Sequence, residues 1–132
     1  MLLKISSWLS YVSFILKQKS IYYELMYYIK NNKTYLKLVG EQDRCTGKTH
    51  SLILLALKFN CPIVVSNMHN KRHVEDLARS LSNKSVKIIV VNDELIAKRQ
   101  AILLCDEGIN REIINNILKP ISRCLVGFVS YD

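Results

Sequence analysis

The sequence predicts an α/β three-layer sandwich: a mostly parallel, five-stranded sheet with helices on both faces, preceded by an N-terminal helical segment. Three observations predict it. Five short apolar runs alternate with stretches whose apolar residues recur at helical spacing. Several of the runs are apolar at every position, as strands buried on both faces are. Polar residues close the runs: Gln42 to Thr46, Asn67, Asn92-Asp93, Asp106-Glu107 and Ser130. In an open parallel sheet that edge is where ligands bind.

Taken in order, residues 3–31 read as one or two helices, with Leu9, Val12, Ile15 and Leu16, then Leu25, Met26, Tyr28 and Ile29, at helical spacing. The uncharged stretch Ile5 to Leu16 is expected to bury its apolar side, since 12 residues are too few for a bilayer, which needs about 20. Asn31-Asn32-Lys33 breaks the helix. Tyr35 to Val39 is the first strand, and Thr49 to Phe59 the crossover helix, ending near Asn60 and Pro62. Ile63 to Asn67 is a second strand; Asn70 is expected to cap a helix from Lys71 to about Leu81. Val86 to Val91 is the third strand, followed by a helical turn at Glu94 to Ile96. Ala101 to Cys105 is the fourth strand, Ile109 to Leu118 a helix that exits at Pro120, and Cys124 to Val129 the last strand.

The chain has 132 residues, 49% of them hydrophobic, enough for a single compact domain and too few for two lobes of this type. Residues 1–34 form its helical extension and 35–132 its core. Of the net charge of +8, +5 falls in residues 1–40, where six lysines face Glu24 alone. That asymmetry points to a polyanionic partner, nucleic acid first and acidic protein or membrane surface next, or to a lysine-rich solvated surface. Tyr22, Tyr23, Tyr27 and Tyr28, interleaved with Lys17, Lys19 and Lys30, would stack bases or form a half-buried core edge. Cys45, Cys61, Cys105 and Cys124 form no CxxC pair, and His50, His69 and His73 supply no metal set, so the cysteines read as small buried hydrophobes in a reducing, cytoplasmic setting.

The chemistry concentrates at two places. Between the first strand and its helix lies Glu41-Gln42-Asp43-Arg44-Cys45-Thr46-Gly47-Lys48-Thr49-His50. Strand, loop, Gly-Lys-Thr and helix form the setting of a phosphate-binding P-loop, or Walker A segment. Backbone N–H groups from Gln42 to His50 would converge on one point, where the helix dipole also favours negative charge. Gly47 admits a phosphate close to the backbone, the Lys48 ammonium pairs with β- and γ-phosphates, and the Thr49 hydroxyl ligates Mg²⁺. The pattern departs from the usual one: Gln42 stands where a first glycine is expected, and Glu41 and Asp43 add negative charge. The second place is Ile102-Leu103-Leu104-Cys105-Asp106-Glu107, with the form of a Walker B strand. Asp106 would hold Mg²⁺ opposite Thr49, and Glu107 would polarise the attacking water as general base.

On these residues the chain resembles the P-loop ATPases of the additional-strand, RecA-like type, in particular the motor core of superfamily-2 helicases and phage terminase large subunits. The resemblance covers about residues 35–132. Gly40 to Thr49 resembles motif I, Ile63 to Ala78 motif Ia, and Asp106-Glu107 motif II, although Gly108-Ile109 departs from it. Phe128 to Asp132 stands where motif III sits, which implies that Ser130 senses the γ-phosphate. The resemblance also implies ATP and Mg²⁺ as cofactors and a small stand-alone protein of phage type, acting in the host cytoplasm. An arginine finger would come from a protein partner or a neighbouring copy, with Arg111 and Arg123 the candidates. No nuclease-type carboxylate cluster is present, nor the lid arginines of a small nucleotide kinase.

Two functions follow. One is a Mg²⁺-dependent ATPase working with nucleic acid or a motor partner, slow without that partner. The other is a binding module, an inhibitor or adaptor that keeps the fold and grips a partner through its basic N-terminal half. Gln18, Tyr22 and Gln42 are the candidates for contact with the base.

Overall fold

The computed structural model describes residues 2–40, 47–91 and 100–130. It contains five strands: β1 (Tyr35–Val39), β2 (Ile63–Val65), β3 (Ile88–Val90), β4 (Gln100–Cys105) and β5 (Ser122–Ser130). They form one sheet in the order β1-β5-β4-β2-β3, and all four ladders are parallel. The last strand in the chain is therefore inserted between the first and the fourth.

Helices α1 (Leu2–Lys30), α2 (Lys48–Phe59) and α3 (Met68–Leu81) cover one face of the sheet. There Leu25 and Ile29 of α1, Leu52 and Leu55 of α2, and Val74 of α3 pack with Ile63, Leu104 and Phe128. The other face carries helix α4, residues 111–121, which sets Ile114 and Leu118 over Val64, Leu103, Leu125 and Val129. Apolar strands buried on both sides are thus paired with helices that each supply one apolar stripe. Residue 34 does not divide the molecule, because Ile21, Leu25, Met26 and Ile29 of α1 belong to the main core.

Local chemistry sets the ends of the elements. Asn60 ends α2 in the left-handed conformation (φ 52°), its N–H donating to the Ala56 carbonyl, and Pro62 prevents continuation. Helix α3 starts earlier than expected. Its cap is Asn67, whose side chain accepts from the Asn70 N–H at 2.9 Å, so Asn70 lies within the first turn. That takes Ser66 and Asn67 out of β2, which stops at Val65. Helix α4 runs past its expected end to Ile121 although Pro120 lies within it. Proline has no N–H and its ring presses on the preceding turn. The helix accommodates it by widening: Ile114–Leu118 is a π-turn, closed by the Lys119 N–H on the Ile114 carbonyl. The Ser122 hydroxyl then donates to the Leu118 carbonyl at 2.7 Å, and β5 begins directly. The turn expected at Glu94 to Ile96 lies outside the described residues.

The expectation for α1 holds only in part. Among the side chains described in its N-terminal half, Val12 and Ile15 are partly buried, whereas Trp8 and Tyr11 are each 63% exposed, Leu16 62% and Leu9 55%. Helical periodicity identifies an apolar stripe but not whether another element lies beneath it. Among the tyrosines, Tyr22 and Tyr28 pack against the core, whereas Tyr23 and Tyr27 are exposed. Tyr28 stacks on Tyr35 (centroids 4.0 Å apart), and Glu24 accepts from the Tyr35 hydroxyl at 2.5 Å and from Lys37 at 2.8 Å. Cys61, Cys105 and Cys124 are buried free thiols, as expected.

Candidate functional site

The carboxyl edge of the sheet brings together the start of α2 and the ends of β4 and β5. Gly47 stands in the left-handed conformation (φ 77°) and its carbonyl accepts from the Ser51 N–H at 2.9 Å, closing the first turn of α2. Lys48 follows, only 7% exposed. Its ammonium lies 3.6 Å from a carboxylate oxygen of Glu107. Lys48 and Glu107 are 59 positions apart, on elements that are not neighbours in the sheet. A lysine held in this way stands at a helix start, where the helix dipole favours negative charge, a combination suited to binding a polyanion.

Asp106 is the residue next to β4. Its N–H donates to the Val64 carbonyl at 3.0 Å, which extends the ladder one step beyond the strand and fixes the backbone of Asp106. The side chain accepts from the Glu107 N–H at 2.9 Å. Burial pushes the Asp106 carboxyl up to about 6, and the neighbouring Glu107 charge adds to this; the Glu107 N–H, Lys48 and His73 act in the other direction. Gly108, with φ 95°, turns the chain directly after Glu107.

A cation placed there would favour the ionised carboxylate. Thr49, half-buried in the first turn of α2, and Asp106 are two oxygen donors of the kind Mg²⁺ takes alongside phosphate oxygens and water. Among the described residues, no group of three or more His, Cys, Asp and Glu side chains gathers into a self-sufficient metal centre. The donor set fits a metal that arrives with its phosphate ligand.

The raised carboxyl has a measurable consequence. In the folded chain Asp106 holds its proton up to about pH 6, while an unfolded aspartate releases it near 3.9. The folded state therefore binds the extra proton within that window, and its stability falls as pH rises from about 4 to about 6, then levels off. Asp106→Asn is expected to flatten that part of the profile and to raise the urea midpoint of the metal-free protein at neutral pH. Urea unfolding of both proteins across that range checks it; parallel profiles would show that Asp106 is not the group responsible.

Other predicted residues are placed as follows. Ser130 ends β5, paired with Val39 of β1. Its carbonyl accepts from the Arg111 guanidinium of the same chain at 2.9 Å. Arg123, near the start of β5, lies at the opposite end of that strand from Ser130. His50 shares its Nδ1 with the Gln18 amide, and burial lowers its pKa. Gln42, Asp43, Arg44, Cys45 and Thr46 lie outside the described residues.

Compared with family models, characterised proteins and solved structures, the chain matches none.

Spacing in the sequence does not reveal the role of α1 at this edge. A Cβ on Gly47 would lie 2.7 Å from Cγ of Gln18, and the Gln18 carbonyl accepts from the Ser51 hydroxyl at 3.3 Å. Gln18 thus lies directly against the glycine of the Gly-Lys-Thr triplet, about 30 positions upstream of it. Tyr22, the other upstream base candidate, is packed against the core instead. Among the described residues, no helix is long and apolar enough to cross a membrane.

Proposed function

We propose that this chain is a Mg²⁺-dependent ATP-binding protein of the additional-strand P-loop type that hydrolyses ATP slowly on its own and works with nucleic acid or a protein motor. The observation that carries this is the meeting of buried Lys48 with Glu107 beside buried Asp106, from the start of α2 and the end of β4. A second feature supports it: β5 lies between β1 and β4, an inserted strand separating the Gly-Lys-Thr strand from the Asp-Glu strand. Lys48 and the backbone around Gly47 hold the β- and γ-phosphates, and Thr49 and Asp106 hold Mg²⁺. When bound, the ion screens the phosphate charge. Glu107, 45% exposed, orients the attacking water, and Ser130, at the end of β5, senses the γ-phosphate in this reading. Arg111 is engaged with its own chain, so fast turnover requires an arginine from a partner or neighbouring copy.

Calorimetric titration of Mg·ATP and Mg·ADP into the protein tests this, with binding expected in the micromolar range. Glu107→Gln is expected to bind Mg·ATP within about threefold of the parent and to lose at least about 100-fold in turnover, the scale of general-base catalysis. Normal turnover in that variant would remove Glu107 from the mechanism. One observation favours a second function, that of an adaptor without nucleotide chemistry: Trp8, Leu9, Tyr11 and Leu16 are exposed on a basic helix. Absence of Mg·ATP binding by the parent would select it.

A further inference from the structure

At the opposite side of β1 from β5, the sheet ends. Among the described residues β1 pairs only with β5, so alternate N–H and C=O groups of Tyr35 to Val39 point outward without a neighbouring strand. An edge of this length is ordinarily shielded by charge, a bulge or a covering element. Here the sequence is Tyr-Leu-Lys-Leu-Val, and its only charge, Lys37, is paired with Glu24. Leu38 is 48% exposed.

Beside this edge lies a cavity of about 240 Å³ between β1, β5 and α4. Leu36, Leu38, Val129 and Ile114 give it an apolar floor, and its two charged lining residues, Arg111 and Lys119, are both cations. They are eight positions apart on α4, so they stand at most about 12 Å apart along the helix axis, the π-turn between them shortening the rise. Four residues of extended chain span about 13 Å, with the first, third and fifth side chains on one face.

We propose that this edge and groove take an extended acidic segment of a partner protein as an additional strand. The segment pairs its backbone with β1, sets one apolar side chain over Leu36 and Leu38, and places carboxylates two residues to either side near Arg111 and Lys119. Charge complementarity selects this occupant over a second copy of the chain: each copy carries +8, and its own β1 offers no carboxylate to the groove. The Arg111 guanidinium keeps its bond to the Ser130 carbonyl and enters the argument only as a positive charge lining the groove. The site involves none of Lys48, Thr49, Asp106 or Glu107, so nucleotide binding and segment binding stand or fall separately.

The test uses an acetylated, amidated heptapeptide, Thr-Glu-Thr-Val-Thr-Glu-Thr, titrated into the isotope-labelled protein. Saturable amide shifts are expected at residues 35–39 and 114–119. Lys119→Glu is expected to weaken binding at least about fivefold and Leu38→Asp to abolish it, with both variants remaining folded by thermal melt because Lys119 is exposed and Leu38 is about half exposed. The same peptide with Gln for Glu is expected to bind at least about fivefold more weakly. No saturable shifts at millimolar peptide, or shifts indifferent to both substitutions, would overturn the proposal. A peptide-free dimer dissolved by Leu38→Asp would also overturn it, in favour of pairing between copies.

Discussion

Lys48→Ala is expected to reduce Mg·ATP affinity at least about 100-fold while leaving the fold in place. The reasoning is local. Lys48 is 7% exposed at the first turn of α2, where a bound triphosphate would replace the Glu107 carboxylate as its principal counter-charge. Charge-assisted hydrogen bonds of this kind contribute about 1.5–3 kcal/mol each, and an ammonium contacting two phosphates makes more than one. Removing the lysine leaves Glu107, itself 45% exposed, able to turn to water. The buried Asp106 loses the favourable Lys48 charge but keeps the Glu107 N–H and holds a proton more readily, so the melting temperature is expected to move by only a few degrees. Calorimetry and a thermal melt on the same sample separate the two effects. Binding retained within about threefold would mean that Lys48 is not a phosphate ligand.

Gly127→Ala is expected to prevent stable folding. Gly127 lies in β5 directly opposite Cys105 of β4. A Cβ built on Gly127 would lie 2.0 Å from the Cys105 carbonyl oxygen and 2.8 Å from the Cys105 nitrogen. Those are backbone atoms of the last pair of the β4–β5 ladder, on a strand that β2 also holds, and they cannot move aside by rotating a side chain. The two central strands would have to separate, with loss of pairing on both sides of Cys105 and displacement of Asp106 beyond it. Overpacking a core with a movable neighbour costs about 1–3 kcal/mol, and a fixed backbone neighbour puts the cost at the top of that range or above. For a domain of this size that is a large part of the total stability. Circular dichroism of the purified variant checks the result; a native-like melt would show that β4 and β5 yield more readily than their geometry suggests.

The two glycines illustrate what a sequence discloses. Gly47 is legible because its neighbours, a strand before and Lys48-Thr49 with a helix after, define a local motif. Gly127 is not, because what it meets is a carbonyl 22 positions away. The same division runs through the molecule. The strands were legible, with small shifts at their ends, as continuous apolar runs, and Lys48, Asp106 and Glu107 were brought to one edge by the rule that such sheets bind ligands there. Asn67 and Asn70 are equally good caps on paper, and only the hydrogen bond from the Asn70 N–H decides between them. Pro120 signals a helix end until a π-turn lets the helix pass it. Gln18 against Gly47, and the exposure of Trp8, Leu9, Tyr11 and Leu16 on α1, depend on which elements meet in space.

The placement of β5 also governs how the chain is able to fold. Tyr35 of β1 pairs with Val126, across 91 positions, and the described sheet offers β1 no other strand. During synthesis β1 and its helix emerge early and wait. The β4, β2 and β3 ladder is able to form first, but the sheet remains in two parts until residues 122–130 leave the ribosome and enter between them. Pairing over so long a loop is slow compared with local helix formation. Meanwhile both β1 and β4 present uncovered edges, the condition under which nascent chains aggregate. Production yield should therefore respond more strongly to chaperone supply and to substitutions in β5 than to changes anywhere in α3, which completes its contacts with β2 and β3 before the final strand arrives.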